Sequence, residues 1–388
     1  MKQITVAIIG SGSTYCPELI DGFIKARDTL QLRRVTFMDI DERKRTIVGE
    51  LCIRQLRRAG IDCETVLTDS LDEALRGADF VVTQIRVGKL PARHLDETIP
   101  LKYGLIGQET TGIGGFFKAL RTIPVMANIC AHMEAICPNA WLINFTNPSG
   151  IITEFVLNHT RVKCIGLCNA PINMLDDTRK ELGSGCELTY LGLNHLSWIT
   201  TPKIVPSYYL EYYDDRDKKL AELQAAEQSR AQECMEIEEQ LLTLYQDENL
   251  NEKPDLLDKR GGHKYSLAAV SLIDAIANDK RDIQVVNLRN RGTLPFLQDD
   301  DCVEVAAIVG TDGAIPLPLE PTWNNHMVDL MHAVKTYERF TVQAALAGDD
   351  AIAMQALRAH PLIGDAKACY AELKAAHRAY LNLETAQK

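Results

Sequence analysis

Cys168, in the stretch GLCNAP, and His195, in GLNHLSW, are the side chains of this sequence whose types best suit chemistry. A thiolate and an imidazole together bind a borderline-soft divalent metal ion. Two protein ligands do not close a structural zinc site, but they make an open one, where substrate oxygens complete the shell of a weakly held ion. Each residue also has a plainer reading. Buried cysteines are usually inert, and a histidine among apolar neighbours is usually a satisfied core residue. Upstream of both lies an N-terminus that reads as a dinucleotide-binding fold. A nicotinamide beside a metal ion would mean redox chemistry on a polarised carbon.

The elements that must position these residues begin with the apolar run Ile4 to Ile9, long enough for a buried parallel strand, which feeds directly into Gly10-Ser11-Gly12-Ser13-Thr14-Tyr15. Gly10 permits the tight turn and Gly12 lets the backbone approach a pyrophosphate. Pro17 and Glu18 read as the first turn of a helix whose N-terminal dipole faces the phosphates, with Ser13 and Thr14 in the loop ahead of it. Tyr15 stands where the fingerprint has its third glycine, so the loop alone is equally well read as a structural turn. The next strand, Val35 to Met38, ends at Asp39, an acidic residue at the distance a ribose hydroxyl contact requires. Asp39 favours NAD over NADP, although Arg43, Lys44 and Arg45 nearby leave an extra phosphate open, and a strand-end aspartate also caps helices.

Further strand signals fall at Thr65 to Leu67, Phe80 to Thr83, Trp141 to Asn144 and Lys163 to Leu167, with helical stretches between. This alternation predicts an α/β fold with a Rossmann-like, doubly wound parallel sheet, with ligands at the carboxyl ends of the strands. From Pro202 the character changes: a charged helical run covers Tyr212 to Glu248, then a glycine-containing loop, two strand-like runs and further helices follow. The expected division is a dinucleotide-binding domain over 1–170 and, over 171–388, an α+β, mostly helical lobe for metal, substrate and oligomerisation. Ala-rich amphipathic helices from Met327 to Leu381 suit a subunit contact, so a homodimer or homotetramer is expected.

Composition narrows the class. The chain has 388 residues and a net charge of -11, which argues against nucleic acid or an anionic membrane as the main partner. Its 11 cysteines lack regular spacing and no secretory leader is recognised at Met1-Lys2-Gln3, so reduced thiols and a cytoplasmic enzyme are expected. No apolar run approaches the ~20 residues of a membrane span.

Three loops remain. Arg86 and Arg93, with His94, follow the fourth strand and can clamp an anion or serve as plain surface charge. Gln108 and Glu109 lie in a glycine-rich loop read as ending before a helix at Phe116. Asn144, Asn147 and Ser149 end the fifth strand, where they can cap a helix or hold sugar hydroxyls.

Taken together and in order, GSGSTY, ARHLDE, GQETTGIGGF, NFTNPSG, GLCNAP, GLNHLSW, RGGHKYS and NDKRDIQVVNLRNRG resemble the NAD- and manganese-dependent family 4 glycoside hydrolases, whose Rossmann-like fold is of the lactate/malate dehydrogenase type. The resemblance runs from Ile4 to at least Pro318. Asn169 after the metal-binding cysteine and the RGG…YS loop look like the 6-phospho-β-glucosidase branch.

The resemblance implies that Cys168 and His195 bind Mn²⁺ or another divalent ion, that Tyr265 is the base, and that Arg93, Asn147 and Asn169 contact a phosphorylated sugar. It implies elimination chemistry: NAD⁺ takes hydride from C3, Tyr265 removes the acidified C2 proton, the C1 oxygen bond breaks, water adds, and the hydride returns. An ordinary glycosidase needs a pair of carboxyl groups, which the motif loops do not supply, and NAD-dependent enzymes of this kind depart from that scheme. A tyrosine with its usual pKa near ~10 needs a cation to act as a base, and the metal with Arg260 can provide one. For the phosphate, Arg289 is the first candidate and Arg281 the second, with Arg291 also in that run. Asn169 is no general acid, which leaves His94 and Glu109 as candidates. Two other classes compete: a lactate/malate-type 2-hydroxy-acid dehydrogenase, which would accumulate NADH, and a non-catalytic NAD sensor, with no use for Cys168, His195 and Tyr265 together.

Overall fold

The computed structural model describes residues 2–183, 185–260 and 265–381, apart from the side chains of 265–267. The six strands read from the sequence are present as β1 (Lys2–Ile9), β2 (Leu30–Met38), β3 (Glu64–Thr68), β4 (Phe80–Thr83), β5 (Trp141–Asn144) and β6 (Lys163–Gly166). They pair in parallel in the order β6-β5-β4-β1-β2-β3. Because β4 returns to the far side of β1, the order reverses there, and a crevice opens at the carboxyl ends of β1 and β4. From Ile4 onward every residue of β1 is buried, as expected of a strand covered on both faces, and this is why ITVAII shows no polar alternation.

The second half of the chain forms β7 (Thr189–Leu193), β8 (Leu196–Thr201) and β9 (Val205–Pro206), a separate antiparallel sheet, and then β10 (Asp282–Arg289), β11 (Cys302–Gly310) and β12 (Gly313–Pro316). The last three do not stand apart. β10 pairs antiparallel with β6 at Asn287↔Gly166, so the main sheet continues to nine strands in the order β12-β11-β10-β6-β5-β4-β1-β2-β3. The two large hydrophobic clusters also cross residue 170: one joins Val6 and Phe37 to Leu272 and Val305, the other joins Phe116 and Leu142 to Leu357 and Leu373. The division at 170 therefore separates stretches of sequence that share the main sheet and the two large cores.

The charged run after Tyr212 folds as the helices Arg216–Ala225 and Arg230–Tyr245, the second opened by a capping box between Ser229 and Gln232. The glycine-rich loop is shorter than its composition suggests: the helix expected at Phe116 begins at Gly112, after an extended Thr111, and runs to Ile136. Helices Asn325–Ala347, Asp350–Ala359 and Lys367–Ala376 complete the C-terminal part. Among the described residues, no helix is long and apolar enough to cross a membrane.

Candidate functional site

The turn after β1 is built for a close approach. Gly10 has φ +89°, and a Cβ there would sit 3.0 Å from the Gln84 backbone. At Gly12 a Cβ would come within 2.8 Å of an Asp39 carboxylate oxygen, and the Gly12 amide donates to that same oxygen at 2.8 Å. Asp39, just past β2, is thus tied to the glycine turn, and its other oxygen accepts from the Asp41 amide at 2.9 Å. The helix Cys16–Lys25 follows with no side chain capping its N-terminus. Ser11 and Thr14 hydroxyls and the Gln84 carboxamide, all around this turn, are buried without hydrogen-bond partners among the described residues. A narrow glycine cradle, free polar groups and a helix N-terminus fit a dinucleotide pyrophosphate, with Ser13 in the loop and Asp39 just past the end of β2.

Cys168 lies two residues beyond β6, and Asn169, just before the helix Ala170–Leu182, accepts from its thiol at 4.0 Å. His195 sits at the tip of the β7–β8 hairpin, where Leu193 pairs with Leu196 and a two-residue loop forces φ +66° on the histidine. Its ring stacks on Tyr209 with centroids 3.8 Å apart and planes 7° from parallel, while its Nδ1 is buried without a partner among the described residues. Asn194, the neighbour of His195, donates to Glu304 at 2.9 Å, and both Asn194 and Glu304 are among the groups that act on the Cys168 thiol, so the two candidate ligands share one neighbourhood.

The electrostatics suit a metal pair. Burial pushes the Cys168 thiol up to about 12, reinforced by the Glu304 charge and opposed by the Ala170, Asn194 and Asn169 groups. Burial pushes His195 down to about 4, leaving a neutral imidazole with a free ring nitrogen at neutral pH. No cluster of three or more His, Cys, Asp or Glu suited to a metal occurs among the described residues. Among the described residues the donor set therefore fits an open two-ligand site of the kind a substrate completes.

A charged cluster lies beside this pair. Glu109 is bonded to Arg86 and Lys118 and pairs with Arg93 Nη1 at 2.9 Å, and Arg93 Nε donates to Glu97 at 2.6 Å. Although burial opposes it, the three cations hold the Glu109 carboxyl well below the ordinary range. Burial and the Arg86 charge push the Lys118 ammonium down to about 7. The Glu109 and Lys118 charges both act on His195. His94 is engaged elsewhere, its Nδ1 2.9 Å from the Ser229 hydroxyl.

Other sequence candidates are dispersed. Asn144 and Ser149 serve the fold: the Asn144 amide donates to Thr146, Ser149 and Thr153, and the Ser149 hydroxyl donates to the Leu167 carbonyl at 3.0 Å. Asn147 is half-buried, just ahead of the helix Ser149–His159. Arg260 lies over the Tyr15 ring at 4.8 Å and donates to Glu238 at 3.2 Å. Tyr265 opens the helix Tyr265–Asn278, and its side chain lies outside the described residues.

The two phosphate candidates are not brought to the cluster. β10 runs antiparallel to β6, so its end at Arg289 points back toward the amino ends of the parallel strands. Arg289 donates there to the Leu157 carbonyl and to Asn158 Oδ1, at the far end of an 11-residue helix whose start adjoins Asn147. Such a helix is about 16 Å long. Arg281 is exposed, in the turn after the helix Tyr265–Asn278, and pairs with Asp279 at 3.4 Å. Replacing Arg289 by alanine is accordingly expected to leave KM for a phosphorylated sugar within about 2-fold of the parent, as for a substitution away from a site. A rise of tenfold or more in steady-state assays would return Arg289 to the phosphate.

Three contributors escaped the sequence reading: Asn194, Lys118 and Glu304. Glu304 carried a visible signal, a lone carboxylate inside the otherwise apolar strand CVEVAAIVG. Lys118 likewise stands in a largely apolar helix.

Known proteins resemble this chain over its whole length. The model of the family 4 glycosyl hydrolases matches residues 5–184, and that of the family 4 glycosyl hydrolase C-terminal domain matches 197–363. The "Probable 6-phospho-beta-glucosidase" of Bacillus subtilis (strain 168) is 39% identical, covering 98% of this chain and 98% of that protein. The 6-phospho-beta-glucosidase of Escherichia coli (strain K12) is 36% identical over 98% of this chain and 96% of its own length. Among solved structures, the 6-phospho-beta glucosidase from Thermotoga maritima with manganese, NAD+ and glucose-6-phosphate superposes with a TM-score of 0.90 at 36% identity, covering 97% of this chain and 99% of that one. A malate dehydrogenase from Cryptosporidium parvum, at 14% identity and a TM-score of 0.57, shares the fold.

Proposed function

Because this chain belongs to the family 4 glycosyl hydrolases, we propose that it hydrolyses 6-phospho-β-glucosides to glucose 6-phosphate and an aglycone, using NAD and Mn²⁺ or another divalent metal. The observation that carries this reading is the pairing of a dinucleotide cradle with the open Cys168/His195 site in one chain, together with full-length identity to 6-phospho-β-glucosidases.

When bound, the dinucleotide supplies reversible hydride transfer at C3 and the metal supplies Lewis acidity at the neighbouring sugar oxygens. The chain's own groups do the rest. Gly10, Gly12, Ser13 and Thr14 cradle the pyrophosphate, and Asp39 takes the ribose. Cys168 as thiolate and His195 as neutral imidazole hold the metal. Arg93, Asn147 and Asn169 orient the phosphorylated sugar, with Arg93 already held by Glu97 and Glu109. Tyr265 is assigned the C2 proton on the sequence resemblance. Glu109, kept ionised by its three cations, has no proton to give at neutral pH and so does not protonate the leaving group.

All 11 cysteines are free thiols, which supports a reducing, cytoplasmic setting. The long C-terminal helices support assembly as a homodimer or homotetramer, which sedimentation would resolve. The functional test is release of p-nitrophenol from its β-glucoside 6-phosphate, from the α-anomer and from the unphosphorylated β-glucoside, with NAD⁺ and Mn²⁺ supplied or withheld. Turnover of the phosphorylated β-substrate that needs both cofactors is expected. Equal turnover without NAD⁺, or net NADH formation in place of nitrophenol, would overturn the reading.

A further inference from the structure

Glu304 is 1% exposed, and among the described residues none of its hydrogen-bond partners is a cation. It lies on β11 directly opposite Asn287 of β10. One carboxylate oxygen accepts from the Tyr190 hydroxyl at 2.7 Å; the other accepts from the amides of Asn194 at 2.9 Å and Asn287 at 3.0 Å. The carboxamide oxygens of both asparagines are buried without partners among the described residues, so the orientation of each amide is set on its nitrogen side, by Glu304. With its amide directed to Glu304, Asn194 is itself half of the two-residue loop that carries His195. A buried anion without a cationic partner is costly unless a positive charge comes near.

We propose that Glu304 is the positioning residue of the metal site: acting through Asn194, it fixes the hairpin tip that presents His195, without touching metal or sugar. The inference rests on Cys168 and His195 being the metal pair. Glu304→Gln keeps one acceptor oxygen where three donors converge and turns an N–H₂ toward one of them.

The test is titration of the full-length protein with Co²⁺, read by the near-ultraviolet thiolate-to-cobalt absorption and independent of turnover. In Glu304→Gln the Co²⁺ dissociation constant is expected to rise about 10–100-fold, as for other partners of metal ligands, while NAD⁺ affinity stays unchanged. Asn194→Ala is expected to show a comparable loss, and the double variant no more than Asn194→Ala alone, because Glu304 acts through Asn194. The Asn194→Ala comparison carries the test should Glu304→Gln fail to fold, with an unchanged Co²⁺ constant as the contradicting result. A merely structural role would lower the melting temperature without moving the Co²⁺ constant, and that outcome, or additive losses in the double variant, would overturn the assignment. A parent protein that develops no thiolate band would instead remove the metal-pair reading itself.

Discussion

Replacing Cys168 by serine is expected to lower kcat/KM on p-nitrophenyl β-glucoside 6-phosphate by roughly 10³-fold or more, about 4 kcal/mol of transition-state stabilisation, because a Lewis-acid metal supplies several kcal/mol. Serine keeps the shape of the side chain but offers no thiolate. The glycine turn and Asp39 belong to other strand ends, so NAD⁺ affinity should be unchanged. The same residue sets a pH dependence whose sign follows from its environment. Burial pushes the metal-free Cys168 thiol up to about 12, so at neutral pH the metal must displace its proton. His195, pushed down to about 4, is already neutral and has none to release. Metal affinity should therefore rise with pH through the neutral range, with about one proton released per ion bound. Calorimetry in buffers of different ionisation enthalpy would count that proton, and two protons or none would contradict these environments.

Replacing Glu109 by glutamine should cost about 3–5 kcal/mol of stability, the usual result of removing one partner from a buried ionic cluster. Arg86, Arg93 and Lys118 all converge on this carboxylate. Without it Arg86 and Arg93 share a poorly hydrated space beside a Lys118 driven further toward its neutral form, with Glu97 left to compensate Arg93 alone. The melting temperature should fall by roughly 10 °C. Glu109 has a depressed pKa in the folded protein, so its contribution is fully present above the ordinary carboxylate pKa near ~4.3 and is lost as pH falls from there through the folded value. The parent should lose stability in that acid window more steeply than Glu109→Gln, and parallel acid-melting curves would contradict the cluster. Activity should fall as well, since Arg93 loses one of the two carboxylates that hold it.

What could be read from the sequence was what is local. β1, the glycine turn and Asp39 are set by a buried strand, a turn and the next strand end, all within the first 39 residues, and the structure ties them together at Gly12. Cys168 and His195 could be singled out by residue type, and Asn194, beside His195, is bonded to Glu304, one of the groups that act on Cys168. The phosphate arginines show the limit. Arg289 had the right chemistry, but its place depends on β10 entering the sheet antiparallel to β6, and a strand-like run does not reveal its direction. The continuation of one sheet past residue 170 was hidden for the same reason, since it is a long-range pairing at Asn287↔Gly166. Glu304 was visible as a carboxylate in an apolar strand, but its role needs three partners, from β7, the β7–β8 loop and β10, that only the fold brings together.

The measurement that tests the central claim most directly is turnover of a 6-phospho-β-glucoside in D₂O with NAD⁺ and Mn²⁺ present, followed by NMR of the glucose 6-phosphate formed. Elimination through C2 deprotonation predicts deuterium at C2 of the product, no NADH accumulating during turnover, and slower reaction of C2-deuterated substrate. Product that keeps its C2 proton, formed at the same rate from C2-deuterated substrate, would show direct displacement at C1 and would contradict the assignment of hydride and proton chemistry to this site.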